Sequence, residues 1–94
     1  MKILAIEKEM TGSKPSKMLL KKEALKVYEL MKKNIIREIY FDKKNHGAIL
    51  IMELINTASA RKVLKTMPLV KAKLINFEIH ELVPYDGLDR LIKS

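Results

Sequence analysis

The chain has 94 residues, 48% of them hydrophobic, and a formal net charge of +8. This length predicts one domain over residues 1–94, and the apolar content excludes a disordered chain. The sequence has no cysteine, which excludes disulfides, thiolate metal sites and cysteine nucleophiles. With no apolar run long enough to span a membrane, the composition predicts a cytoplasmic protein without a membrane partner.

A strand and a lysine-rich helix are predicted first. Residues 2–9 are short and rich in β-branched residues, as in a strand, and the breakers in residues 11–16 end it. A helix is expected over residues 17–33, with an apolar stripe made of Leu20, Ala24, Val27, Tyr28 and Met31.

The positive charge is concentrated on this helix, where residues 14–33 contain seven lysines and two glutamates. A basic surface gains affinity for phosphate backbones by releasing counterions. Arginine, the better bidentate phosphate ligand, is absent from this stretch. We interpret the lysines as a solvated helix face and do not expect nucleic acid as a partner.

Two strands and a second helix follow. Residues 35–42 are rich in Ile, Tyr and Phe and predict the second strand. Residues 48–52 are apolar at every position, as expected for a central strand covered on both faces. Residues 58–67 predict the second helix, which Pro68 ends.

The fourth strand is predicted over residues 74–83, followed by an amphipathic tail over residues 84–94 that we expect to pack on a partner subunit. The element order is βαββαβ. Right-handed crossovers then place both helices on one face of a four-stranded antiparallel sheet, in strand order 4-1-3-2. This is the ferredoxin-like α+β fold.

The third strand also makes the open face of this sheet apolar. A face of this kind is seldom left in water. We therefore predict a homodimer, or a higher even oligomer, in which two sheets pack face to face.

Three segments resemble the muconolactone isomerase family: residues 36–41 (IREIYF), 67–70 (MPLV) and 83–88 (VPYDGL). The ending is most similar to small uncharacterised members of that family. The resemblance implies a dimeric α+β barrel, in which two sheets close on each other. It also implies chemistry without a cofactor, in which a proton is moved to shift a double bond within a lactone.

Such an isomerase needs a carboxylate or an imidazole to take a proton and return it. On the fourth strand, Ile75, Phe77 and Ile79 alternate with Asn76, Glu78 and His80. If the first set faces the helices, Glu78 and His80 face the barrel interior.

The same reasoning turns Leu4 and Ile6 toward the helices and Glu7 toward the interior. Arg37, Glu53 and His80 are expected to meet at one end of the sheet, with Glu7 and Glu78 nearer the other. The predicted catalytic residues are Glu78, His80, Glu53 and Arg37.

Each of these residues also has a structural interpretation. Glu53 and Arg37 are equally suited to an ion pair, and His80 to a hydrogen bond in an interface. His46 lies in a turn and is expected to be solvated, and the two histidines lack the spacing of a metal site. The orientation of strand two stays open: either Glu38 and Tyr40 face the interior, or Arg37, Ile39 and Phe41 do.

Three functions are compatible with this fold. The first is an isomerase or small-ligand-binding dimer with a pocket between the sheet and the helices, and the second is a non-catalytic module for assembly or partner binding. The third is RNA binding, which in this fold uses exposed aromatic residues on strands one and three. The first strand has no aromatic residue and the third reads AILIM, so the third function is the least supported.

Overall fold

A computed structural model describes residues 1–92 of the chain. Four strands, β1 (Lys2–Glu9), β2 (Ile36–Phe41), β3 (Ala48–Glu53) and β4 (Ile75–Leu82), form one antiparallel sheet in the order β2-β3-β1-β4. The helices are α1 (Lys17–Lys32), α2 (Thr57–Leu64) and α3 (Pro68–Lys71), and a 3₁₀ turn covers Gly87–Leu91. The predicted ferredoxin-like α+β fold and its strand order are confirmed.

The helix ends follow from local sequence. The Ser16 hydroxyl accepts a hydrogen bond from the Leu19 amide at 3.1 Å, which caps the start of α1. The Asn56 side chain caps α2 in the same way, accepting from the Ser59 amide at 2.8 Å. The predicted second helix over 58–67 is shorter in the structure, where α2 ends at Leu64, and Pro68 begins the separate helix α3. Proline suits a first helical position, since its fixed φ is helical and its missing N–H is not needed there.

The buried core lies between the helices and one face of the sheet. Its side chains come from all four strands and from the helical segments: Ile3, Ala5, Leu30, Ile36, Leu50, Met52, Ala60, Leu64, Met67, Ile75 and Phe77.

The orientation predicted for β1 is wrong. Ile3 and Ala5 are fully buried on the helix side, whereas Leu4 and Ile6 lie on the open face. Glu7 lies on the helix side with Ile3 and Ala5. Both alternating sets of β1 are apolar near its start, so the alternation alone does not determine which set is buried.

The predicted apolar stripe of α1 is also rotated from the one observed. Leu30 is buried and Val27 is half-buried, but Tyr28 is 58% exposed and Met31 is 42% exposed. Glu23 lies four residues before Val27, about one helical turn, and shares the inward side with Val27 and Leu30. Its carboxyl group interrupts the apolar pattern from which the stripe was predicted.

The open face of the sheet carries two cross-strand rows of side chains. From β2 to β4, one row is Glu38, Ile51, Leu4 and His80, and the next is Tyr40, Ile49, Ile6 and Glu78. Four half-buried aliphatic side chains therefore occupy the centre of this face, with polar groups on both edge strands.

These rows decide the orientation of strand two. Glu38 and Tyr40 lie on the open face, and Ile39 lies on the helix side. The register shifts between Ile36 and Glu38, so that Arg37 occupies a β-bulge.

The domain is elongated, and the end of the described chain is exposed. The molecule measures 57 × 29 × 20 Å, and its radius of gyration of 15.6 Å exceeds the value of about 12 Å for a compact chain of this length. Residues 83–92 are exposed apart from Gly87, and residues 93–94 of the predicted tail lie outside the described residues. Packing of the tail on a partner subunit stays a prediction.

Candidate ligand-binding cavity

A cavity of about 1030 Å³ lies between α1 and the helix side of the sheet. Its volume is at the upper end of the range for small-molecule sites. Loop residues 11–15 and turn residues 45–47 form part of its rim. Its walls are mainly apolar and include Leu20, Val27, Ala48, Leu50, Leu69 and Phe77.

Glu7 brings a carboxylate from β1 to this cavity. Its Oε1 accepts a hydrogen bond from the Ala48 amide at 3.2 Å. The ladder between β1 and β3 ends at the pair of Ile6 and Ile49. The Glu7 side chain thus extends the contact between the strands by one residue and is held against the cavity wall.

Glu23 brings a second carboxylate, from α1. Its Oε1 accepts a hydrogen bond from the Leu69 amide at 2.9 Å, in the first turn of α3. Burial raises the pKa of Glu23 above its usual range; the Leu69 hydrogen bond opposes this rise, and the negative charge of Glu7 adds to it. A carboxyl group with a raised pKa can donate or accept a proton closer to neutral pH.

His46 lies at the rim of the same cavity. Its ring stacks on Phe41, with centroids 4.0 Å apart and an angle of 15° between the planes. The side chain is exposed, as predicted, but the turn places it beside the cavity.

The predicted site residues Glu78 and His80 lie together on the open face, away from this cavity. His80 Nε2 is 3.2 Å from Glu78 Oε2, and both side chains are about half-exposed. The hydrogen bond from His80 lowers the pKa of Glu78, as does the charge of Lys8, whose Nζ is 3.8 Å away. These neighbours favour the ionised form of the Glu78 carboxyl group, which cannot act as a proton donor.

Glu53 and Arg37 lie elsewhere. Glu53 pairs with the amino group of Met1, which lowers the pKa of its carboxyl, and the charges of Arg37 and Lys2 lower it further. The Arg37 Nε donates a hydrogen bond to the Asn34 carbonyl at 3.0 Å. Edge strands β2 and β4 are about 14 Å apart across three strand spacings. The structure therefore does not bring Arg37 and His80 together within one chain.

Glu7 and Glu23 were not predicted as a pair from the sequence. A signal for Glu23 was present: an acidic residue between Leu20 and Val27, at helical spacing on the inward side. A pocket between the sheet and the helices was predicted, but its lining was not, since it depends on how far α1 stands from the sheet.

Fold and cavity together give a small α+β domain with a partly open, largely apolar cavity that carries two carboxyl groups. A solved structure with this architecture is 5-chloro-2-hydroxyhydroquinone dehydrochlorinase (TftG) from Burkholderia phenoliruptrix AC1100, in complex with 2,5-dihydroxybenzoquinone. It is similar to this chain with a TM-score of 0.65 and 18% sequence identity, over 93% of this chain and 98% of that one. The similarity shows the fold.

No protein-family model matches the chain, and no curated protein matches it. Within residues 1–92, no helix is long and apolar enough to cross a membrane. The cytoplasmic location and the resemblance to the muconolactone isomerase family stay predictions.

The raised pKa of Glu23 leads to a prediction about stability. The folded protein holds the Glu23 proton more tightly than the unfolded chain, so stability falls as pH rises from the usual carboxyl range through the raised pKa. Glu23→Gln removes this penalty and keeps an oxygen acceptor for the Leu69 amide. We expect its free energy of unfolding to exceed that of the wild type by roughly a few tenths of a kcal/mol at pH 7, with no gain at pH 4.

Urea unfolding at the two pH values tests this expectation. Glu29→Gln, on the exposed side of the same helix, is the matched control and should not produce the same pH-dependent gain. A Glu23→Gln protein less stable than the wild type at pH 7 would show that the charged form is favoured by the fold.

Proposed function

We propose that this protein is a homodimeric, cofactor-free isomerase that binds a small oxygenated ring compound in the cavity between α1 and the sheet. The observation that carries the proposal is the pair of carboxyl groups, Glu7 and Glu23, on an otherwise largely apolar cavity. A raised pKa at one of them suits proton transfer near neutral pH.

The chemistry follows from these two groups. A carboxylate takes a proton from a carbon next to a carbonyl group, and the electron pair of that C–H bond forms the new double bond. A carboxyl group then delivers a proton to the far end of the original double bond. We assign proton donation to Glu23, because its pKa is raised, and proton removal to Glu7. Glu7 ends protonated and Glu23 ionised, and proton exchange with solvent restores both groups for the next turnover. The substrate keeps its oxidation state, so this reaction needs no oxidant or reductant.

The substrate class is inferred from two sources. The solved dehydrochlorinase is named for a chlorinated hydroxyhydroquinone and holds 2,5-dihydroxybenzoquinone. The family resemblance in residues 36–41, 67–70 and 83–88 implies an unsaturated lactone. All are small oxygenated rings, and a cavity of about 1030 Å³ has room for any of them.

Binding is tested by isothermal titration calorimetry with 2,5-dihydroxybenzoquinone. We expect saturable binding to the wild type and at least a tenfold loss of affinity in Val27→Trp, since the larger side chain fills the cavity. Leu25→Trp is the matched control because Leu25 lies on the outer side of the same helix. The Leu25→Trp protein should bind 2,5-dihydroxybenzoquinone with the affinity of the wild type. Equal affinity in all three proteins would contradict a site in this cavity.

Proton transfer is tested with an unsaturated γ-lactone in D₂O, where deuterium incorporation is followed by NMR. We expect the wild type to catalyse incorporation and both Glu7→Gln and Glu23→Gln to reduce it by at least roughly 100-fold. Glu78→Gln should retain the wild-type rate. Binding without deuterium incorporation would support a ligand-binding protein over an isomerase.

The pair of Glu78 and His80 supports a second candidate site. If two open faces pack together, this pair enters the space between the sheets. Glu78→Gln and His80→Leu would then abolish binding without lowering the melting temperature. A non-catalytic assembly module, the remaining alternative, predicts that the same changes weaken the dimer.

A further inference from the structure

The last ten described residues form a C-terminal arm, residues 83–92, that exposes an unusual amount of apolar surface. Single exposed apolar residues are common, but a contiguous set marks an interaction surface. Five of its side chains are between 63% and 84% exposed: Val83, Tyr85, Leu88, Leu91 and Ile92.

The arm has local structure of its own. Gly87 is buried, and the Tyr85 ring packs so closely against it that any Cβ at this position would clash. The Asp89 amide donates a hydrogen bond to the Asp86 carbonyl at 3.1 Å within the 3₁₀ turn. Leu88 is thereby presented on a short ordered turn with an acidic residue close on each side, which lowers the entropic cost of docking.

A surface of matching chemistry lies on the outer side of α1. Met18, Lys21, Lys22 and Leu25 line an apolar groove of about 320 Å³. Met18 is 70% exposed and Leu25 is 57% exposed. The arm carries two aspartates, Asp86 and Asp89, and one basic residue, Arg90, so its net charge is negative. An apolar groove bordered by lysines complements an apolar side chain in this acidic setting.

We propose that the C-terminal arm of one copy docks in the α1 groove of a second copy. Leu88 fills the groove between Met18 and Leu25, and Asp86 and Asp89 approach Lys21 and Lys22. The occupant of the groove is thus another molecule of this same chain.

The arm is too short to reach the groove of its own chain. It leaves β4 at Leu82, which pairs with Lys2 at the start of β1, whereas the groove lies on the first half of α1, which follows the end of β1. Lys2 and Lys8 are about 20 Å apart along the strand. Leu88 is six residues beyond Leu82, so a fully extended chain places it about 20 Å from Leu82 at most. That length is used up along the strand, and none remains to pass over a helix about 10 Å thick.

The proposed contact is separate from the open face. α1 covers one side of the sheet and its groove points away from it, while the open face lies on the other side. Docking of the arm would therefore join sheet-paired dimers into larger even assemblies.

Disulfide trapping tests the contact directly, because the chain has no cysteine of its own. Leu88→Cys protein is mixed with Met18→Cys protein under mild oxidation, and the products are separated on a non-reducing gel. We expect a mixed dimer joined between the two positions. Lys62→Cys protein, with its cysteine on α2, is the control partner. It should form at least tenfold less disulfide-linked mixed dimer with Leu88→Cys protein. Equal trapping with Lys62→Cys, or preferred trapping with Ile51→Cys on the open face, would overturn the proposal.

Charge exchange provides the second test. Reversing both lysines with Lys21→Glu and Lys22→Glu should reduce trapping at least tenfold, and adding Asp86→Lys and Asp89→Lys to the arm should restore it. Unchanged trapping after the lysine reversal, or trapping that the arm substitutions do not restore, would contradict the charge pairing.

If phosphatidylglycerol vesicles bind the wild type and arm-deleted protein equally and block trapping, the groove would instead be a lipid-binding surface. Ligand binding in the cavity is measured separately, so either proposal can fail alone.

Discussion

Leu50→Ala is expected to lower the free energy of unfolding by about 2 kcal/mol, the lower end of the range for a buried leucine, because its side chain also lines the cavity. Leu50 is fully buried on the central strand β3, between the ladder partners Ala5 and Ile39. Urea denaturation followed by circular dichroism measures the change. The loss should be independent of protein concentration, since Leu50 lies inside one chain.

Ile51→Ala is the matched control, one residue along the same strand on the opposite face. If a second copy covers that face, the loss of unfolding free energy caused by Ile51→Ala should vary with protein concentration, because dissociation is then linked to unfolding. Equal, concentration-independent losses for Leu50→Ala and Ile51→Ala would contradict the assignment of the two faces.

Ile51→Lys is expected to convert the proposed homodimer to a monomer. The substitution places a charge in each half of the proposed sheet-to-sheet interface, where a buried unpaired ammonium is strongly unfavourable. Sedimentation at micromolar concentration should show the wild type at twice the chain mass of 10.9 kDa, or a higher even multiple. The dissociation constant of the Ile51→Lys dimer should be about 100-fold higher than that of the wild type, or more.

Ala58→Lys, an exposed change on α2, should leave the sedimentation behaviour unchanged. A wild type that sediments as a compact monomer would contradict pairing through the open face, as would an Ile51→Lys protein with unchanged mass.

The topology could be predicted because it rests on local signals that agree with one another. Breakers separate the elements, and β4 alternates clearly between apolar and polar residues. The orientation of strand two could not be resolved from sequence, because the bulge at Arg37 depends on pairing with β3. The faces of β1 were assigned wrongly because Ile3, Leu4, Ala5 and Ile6 are all apolar.

The candidate site was harder to predict than the fold. Alternation correctly grouped Glu78 and His80 on one face, and the structure adds that this face is away from the cavity. Glu7 was placed on that face as well, through the wrong orientation of β1, and is instead on the helix side. Glu23 was not singled out, because the lysines beside it in sequence indicated a solvated helix face.

The most direct test of the proposed site is a titration of ¹⁵N-labelled protein with 2,5-dihydroxybenzoquinone, followed by two-dimensional NMR. The Ala48 and Leu69 amides donate hydrogen bonds to Glu7 and Glu23, so a ligand between these carboxyl groups should shift both signals most strongly. The amides of Ile51 and His80, on the open face, should shift least. The opposite pattern, with the largest shifts at Ile51 and His80, would contradict the cavity as the ligand site.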